Sequence, residues 1–150
     1  LPLSPRTVII VENKESAQLV PKRAGLVVIH SLGNHLDALT ALPWLQEAEI
    51  LYWGDLDRTG FTLLSRARAL LPGLASVLMD EATFEEHVHL AVPDTTRVDP
   101  PRSTLTLMEL EALRRVAEVG EDGTGRRLEQ ERLRADVVVA VLERALEQAP

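Results

Sequence analysis

The chain has 150 residues, 45% of them hydrophobic, and a formal net charge of −7. That is one domain's length with enough apolar side chains for a core, and the absence of cysteine excludes a disulfide framework, a thiolate zinc site and a cysteine nucleophile. No apolar run is long enough to cross a membrane, and an acidic domain does not hold nucleic acid by bulk charge: either nucleic acid is not its ligand, or it is met at a local site containing divalent metal, helped by other domains.

The opening LPLSPRT has no basic stretch ahead of an apolar one, so it is not a signal peptide. It also lacks a Met, and residues 1–6, with Pro2 and Pro5, are expected to be a linker from an upstream region. Residues 7–150 are then one folded domain, expected in the cytoplasm. TVIIVEN (7–13) is a β-branched run ending in polar residues, a strand buried on both faces. A helix is expected over about Lys14–Arg23, with Pro21 spoiling its last turn. GLVVIHSLG (25–33) predicts a second buried strand, residues 35–46 a short helix stopped near Pro43, and EILYWGD (49–55) a third strand. Thr59–Leu71 is the clearest helix, with Phe61, Leu64, Ala67 and Leu71 on one face and Arg66 and Arg68 off it. ASVLMD (75–80) predicts a fourth strand, and residues 81–89 a helix.

VPDTTRVDPPRST (92–104) reads as a loop. Two long amphipathic helices are expected after it, within a helical extension over about 104–150. One spans about Thr106–Val119. The other spans about Arg127–Gln148, with Leu133, Val137, Val141 and Ala145 in register. GEDGTG (120–125) is the turn between them. Strands alternating with helices predict an α/β fold with a mostly parallel sheet flanked by helices, and functional residues at its carboxyl edge.

Three acids fall at that edge. Glu12 closes the first strand, and Asp55 and Asp57 close the third. Carboxylate oxygens are hard ligands suited to Mg²⁺ or Mn²⁺, and three of them together repel one another unless a cation sits among them. Gly54 and Gly60 flank the pair and permit a tight turn there. The helix after Asp57 aims its N-terminus near the site, which favours a phosphate. The chemistry this supports is metal-assisted phosphoryl transfer, with Lys14 placed to neutralise charge on the phosphate. The plainer alternative is that the aspartates cap helices and form turns. A rival reading takes Asp55-Leu56-Asp57-Arg58-Thr59 as D-x-D-x-T, the motif of haloacid-dehalogenase-type phosphatases, with Asp55 as nucleophile. That family sets its motif on the first strand and needs downstream Lys or Arg and acids, for which only Arg66, Arg68 and Asp80 offer themselves.

A Glu after strand one and D-x-D after strand three is the pattern of Toprim (Rossmann-like) domains. The phrases VIIVENKES, YWGDLDRTGFTLL, SVLMDEATF, LTLMELEAL and RLEQERL, in this order, resemble the C-terminal Toprim domain of the JetD-type nuclease subunit of Wadjet anti-plasmid systems. That domain is related to the A subunit of topoisomerase VI and the other type IIB topoisomerases. The resemblance implies a Mg²⁺-dependent DNA endonuclease domain in which Glu12, Asp55 and Asp57 bind metal and Lys14 assists. It also implies that the full-length protein meets double-stranded plasmid DNA together with a condensin-like (SMC) motor complex, and it leaves a homodimer open. The topoisomerase relatives use an upstream active-site Tyr; Tyr52, the only Tyr here, lies inside the third strand and reads as core.

The remaining candidates are weaker. RLEQER (127–132) reads as a solvated helix face with ion pairs, or as the source of one more ligand (Glu129, Glu131) or a phosphate contact. His87 and His89 lack a third zinc-type ligand, and His30 and His35 bracket the loop after strand two. A non-catalytic dimerisation or docking module, using the C-terminal helices, is the other class of function. The fragment alone is expected to be inactive on DNA, because it is expected to carry no basic DNA-binding surface.

Overall fold

The computed structural model describes residues 3–149, so Pro2 of the expected linker lies outside the described residues. Four strands, β1 (Thr7–Val11), β2 (Leu26–His30), β3 (Glu49–Trp53) and β4 (Ala75–Ser76), form a parallel sheet in the order β2-β1-β3-β4. Every neighbouring pair is parallel, and Val11 is level with both His30 and Trp53. The chain leaves β1 for β2 on one side, then returns past β1 to β3 on the other. With right-handed crossovers, that reversal sends the connections to opposite faces and leaves a crevice between the carboxyl ends of β1 and β3.

The continuous apolar runs identify the central strands. Val8–Val11 and Ile50–Trp53 are buried along their whole length, as central strands of a covered parallel sheet must be. The second strand departs from expectation. Leu26, Val27, Val28 and Ile29 are only half-buried, because β2 is an edge strand. The fourth is also shorter than expected. Leu78 adopts φ +60°, which takes the chain out of extended geometry, so Val77, Leu78 and Met79 pack into the core as irregular chain.

The helix expected over Lys14–Arg23 is a single turn, α1 (Lys14–Ala17), capped by Asn13, whose side chain accepts from Ser16 N at 2.7 Å. Residues 35–46 form two 3₁₀ segments, Leu36–Ala41 and Pro43–Glu47, broken at Leu42, where the following proline disfavours helical geometry. The clearest predicted helix is present as α2 (Arg58–Leu70), with Phe61, Leu64 and Ala67 fully buried. Next come α3 (Glu81–Glu86), a short strand β5 (Val92–Asp94) inside the expected loop, and α4 (Leu107–Ala117) with a Thr106/Glu109 capping box.

The largest departure lies in the C-terminal third. The helix expected from Arg127 begins only at Ala135, as α5 (Ala135–Gln148). Residues before it form β6 (Gly125–Arg127), antiparallel to β5, and a 3₁₀ turn at Gln130–Arg132. Leu128 exchanges two backbone hydrogen bonds with Leu56, at 3.0 and 3.1 Å, so long-range pairing overrides a local helical pattern. The buried face of α5 is accordingly Val138, Leu142 and Leu146, one position on from the expected register, while Leu133 is buried ahead of the helix.

A buried ion pair fastens α4 to the sheet layer. Arg68 clasps Glu109 through both guanidinium nitrogens, at 2.6 and 2.9 Å, and also donates to Thr104 O and Leu74 O. Ser76 Oγ donates to the same carboxylate at 2.6 Å. Burial raises the Glu109 carboxyl, but the bonds from Arg68, Ser76 and the Thr106 N–H outweigh it and hold the group below its ordinary range.

Candidate active site

The crevice between β1 and β3 is where the acids meet. Glu12 follows Val11 directly, and its Oε2 accepts a hydrogen bond from Asp55 N at 2.8 Å, across 43 residues of sequence. Asp55 Oδ1 in turn accepts from Gln130 N at 2.7 Å. Asp57 caps α2, its Oδ1 accepting from Gly60 N at 2.6 Å. Each of the three carboxylates therefore has one oxygen fixed by a backbone N–H. The other oxygen of each has no hydrogen-bond partner among the described residues.

Gly54 and Gly60 do act at the turn, though not through left-handed backbone: neither has positive φ. They are needed for close approach. A Cβ on Gly60 would lie 2.0 Å from Asp55 O, and one on Gly54 would lie 2.9 Å from Glu12 Oε2 and 3.0 Å from the Tyr52 ring.

Gln130 is the residue that sequence reasoning missed. It is 1% exposed and bonds three residues at two strand ends. Its Nε2 donates to Trp53 O at 2.6 Å, its Oε1 accepts from Asn13 N at 3.2 Å, and its own N–H holds Asp55. One side chain thus spans the ends of β1 and β3. Nothing in its local sequence marks it, because its partners come from strands far away in the chain. Buried Asp94 on β5 was also missed. It lay in a stretch read as loop, and its charge acts on Asp57.

All three carboxyls are pushed upward. Burial is the first cause in each case. Asp55 is raised to about 8 by burial and by the Glu12, Asp57 and Glu131 charges, against the opposing Gln130 N–H. Glu12 is raised by burial and by Asp57 and Glu131, against the Asp55 N–H. Asp57 is raised by burial, Asp94 and Glu129, while the Gly60 N–H and the Arg127 guanidinium act in the other direction. Like charges crowded in a partly desolvated crevice have one ready remedy, a cation.

The donor chemistry is that of a hard divalent ion such as Mg²⁺ or Mn²⁺, all oxygen and all anionic. No three His, Cys, Asp or Glu side chains among the described residues already converge as a finished cage. Glu12 and Asp55 are joined directly, and Asp57 stands beside them turned toward α2. The residues fit such an ion as a pair with a neighbouring third carboxylate.

The other candidates fall as follows. Lys14 is exposed at the start of α1 and makes no ion pair with the acids among the described residues. RLEQER is not a helix face: it is the strand end and 3₁₀ turn that close over the crevice, bringing Arg127, Glu129 and Glu131 beside the acids. Its ion pairs, Arg127–Glu129 at 3.5 Å and Arg132–Glu129 at 3.9 Å, are loose and partly exposed. Tyr52 is core, and burial first, then the three carboxylates, push its phenol above its ordinary value. His87 is fully buried, its Nδ1 donating to Thr83 O at 2.8 Å and its Nε2 accepting from Arg134 N at 3.1 Å, so it tethers the entry of α5. Exposed His30 bonds only its neighbour Ser31, and His35 precedes the first 3₁₀ segment. Arg68 is committed to Glu109 and Asp80 caps α3, which removes two of the downstream residues a phosphatase reading would draw on.

A family model described as "Wadjet protein JetD, C-terminal" matches residues 1–142 of the chain. No curated protein sequence matches it significantly.

Proposed function

The chain belongs to the JetD C-terminal family and is thereby a Wadjet system component, and from that premise we propose that it is a Toprim-type, metal-dependent DNA endonuclease domain of an anti-plasmid nuclease. The observation that carries the reading is the bond from Asp55 N to Glu12 Oε2 at 2.8 Å, which joins the acid after β1 to the acids after β3. Glu12 and Asp55 would hold the ion, with Asp57 beside them. A bound Mg²⁺ supplies charge stabilisation at a phosphodiester and a more acidic water.

The chain's own residues supply the positioning. Gln130 locks the two strand ends together, and the Gly60 N–H holds Asp57 at the α2 N-terminus, where an anion is favoured. Asp55, raised to about 8 by burial and by the Glu12, Asp57 and Glu131 charges, is placed to hold a proton near neutral pH at its unbonded oxygen, and Glu12 is raised beside it by burial and by Asp57 and Glu131. Double-stranded plasmid DNA and the condensin-like motor of the same system complete the proposed setting.

The test uses the full-length protein with its companion complex and supercoiled plasmid in Mg²⁺. Asp55→Asn with Asp57→Asn keeps both side-chain oxygens that accept from backbone N–H groups and should abolish cleavage, together with Mn²⁺ binding measured by calorimetry, while leaving the fold intact. Cleavage at the wild-type rate by that variant would refute the assignment. One observation favours a second reading, a docking module: Leu107 and Met108 open α4 at 75% and 63% exposure. Under that reading Leu107→Asp with Met108→Asp breaks an assembly seen by light scattering, and the Asp55 variant changes nothing.

A further inference from the structure

The sequence shows no basic surface, yet folding assembles one locally. Arg58, Arg102, Arg114 and Arg115 line a single cleft of about 620 Å³ together with Glu81 and Glu118. They come from separate segments: Arg58 is the first residue of α2, Arg102 lies in the loop before α4, and Arg114 and Arg115 sit in the last turn of α4. One of its lining residues, Arg58, directly follows Asp57 of the candidate site at the start of α2.

The four arginines are not equally engaged. Arg115 is fixed, paired with Glu85 and, at 3.8 Å, with Glu118, its guanidinium 5.0 Å from the centre of the Phe84 ring. Arg102 meets only Asp99, at 3.7 Å, and both are largely exposed. Arg58 and Arg114 have no ion-pair partner among the described residues. Guanidiniums gathered around one space repel one another unless an anion lies between them, and their planar fork suits phosphate oxygens. In a chain of net charge −7, such a cluster beside a carboxylate crevice matches a ligand carrying phosphates in series. One phosphate would face the acids and their cation, and its neighbours along the strand would face the arginines.

We propose that this cleft holds the sugar–phosphate backbone of DNA flanking the phosphate presented to Glu12 and Asp55. The inference rests on the nuclease reading for its choice of polymer, and binding can be tested without cleavage. Anisotropy of a fluorescein-labelled DNA duplex is measured with the chain at low salt in chelator, for wild type, Arg58→Gln/Arg114→Gln, and Arg144→Gln as an exposed control on α5. The double variant should bind about tenfold more weakly and lower the slope of log affinity against log salt by about 2, one per lost phosphate contact. The control should match wild type, and all three should melt alike.

An unchanged affinity and slope in the double variant would overturn the proposal. So would absent binding by wild type, equal weakening by Arg144→Gln, or release of the duplex by millimolar inorganic phosphate at constant ionic strength, which marks a small-anion pocket. The two readings fail separately. Full-length protein carrying Asp55→Asn that still cuts plasmid sinks the nuclease reading, whatever the arginines do. Loss of cleavage in that variant, with undiminished duplex binding by the arginine variant, sinks only the cleft.

Discussion

Replacing Asp55 by Asn should change how stability depends on pH, and the size of the effect follows from the site. Asn presents the same oxygen to Gln130 N, so the hydrogen bond at 2.7 Å is retained and only the charge is removed. Asp55 is raised from 3.8 to about 8 by burial and by Glu12, Asp57 and Glu131. Between those two values the folded chain keeps a proton that the unfolded chain gives up. Stability therefore falls as pH rises across that window, and stops falling once the folded group has ionised. A window of that width corresponds to on the order of 5 kcal/mol, assigned to the carboxylate cluster as a whole because its neighbouring charges act on Asp55 together. For a chain of this length that is a fall on the order of 10 °C in melting temperature.

The assay is thermal unfolding followed by circular dichroism in chelator from pH 5.5 to 8.5, repeated with Mg²⁺ or Mn²⁺. Wild type should lose melting temperature as pH rises. Asp55→Asn should lose much less, and divalent ion should restore wild type at the alkaline end but not the variant. A flat wild-type profile, or an equally steep one in Asp55→Asn, would mean that crowded carboxylates do not make this crevice a cation site.

Gly60→Ala should destabilise the chain and abolish cleavage, although Ala in a helix ordinarily gains about 1 kcal/mol over Gly; its Cβ would fall 2.0 Å from Asp55 O and displace the acidic loop. Chemical denaturation checks the sign, and a stabilised, active Ala variant would contradict the packing. Gln130→Ala leaves Asn13 N without its acceptor and the buried Trp53 carbonyl with only the Glu12 N–H, at 3.2 Å, and should cost about 1–3 kcal/mol. It should also weaken Mn²⁺ binding in calorimetry, whereas a purely structural role would lower stability and leave metal affinity unmoved. Glu109→Ala strands buried Arg68 and should cost about 3–5 kcal/mol in urea unfolding, with Arg68→Met/Glu109→Leu recovering most of it. Glu109 is held below its ordinary range, so its contribution is present at neutral pH and is lost as pH falls through the folded value. Wild-type stability should therefore also decline on the acid side, and Glu109→Ala should lose that acid limb.

The centre of the fold and the acids of the crevice were legible in the amino-acid order. VIIV and ILYW are unbroken apolar runs, and such runs belong in the middle of a covered parallel sheet. A polar residue ending each run must then stand at the carboxyl edge, which located Glu12, Asp55 and Asp57 without coordinates. Helix α2 was equally legible, because its apolar face repeats with a purely local period. The rest came from contacts made on folding. Residues 127–134 carry a helical pattern, yet their backbone is claimed by Leu56 and their one buried amide by Trp53 and Asn13. Half-burial of β2 follows from its place at the sheet edge, and the arginine cleft from the packing of α2, α3 and α4. In each of these cases the deciding partner lies far away in the chain, where periodicity and local propensity carry no information.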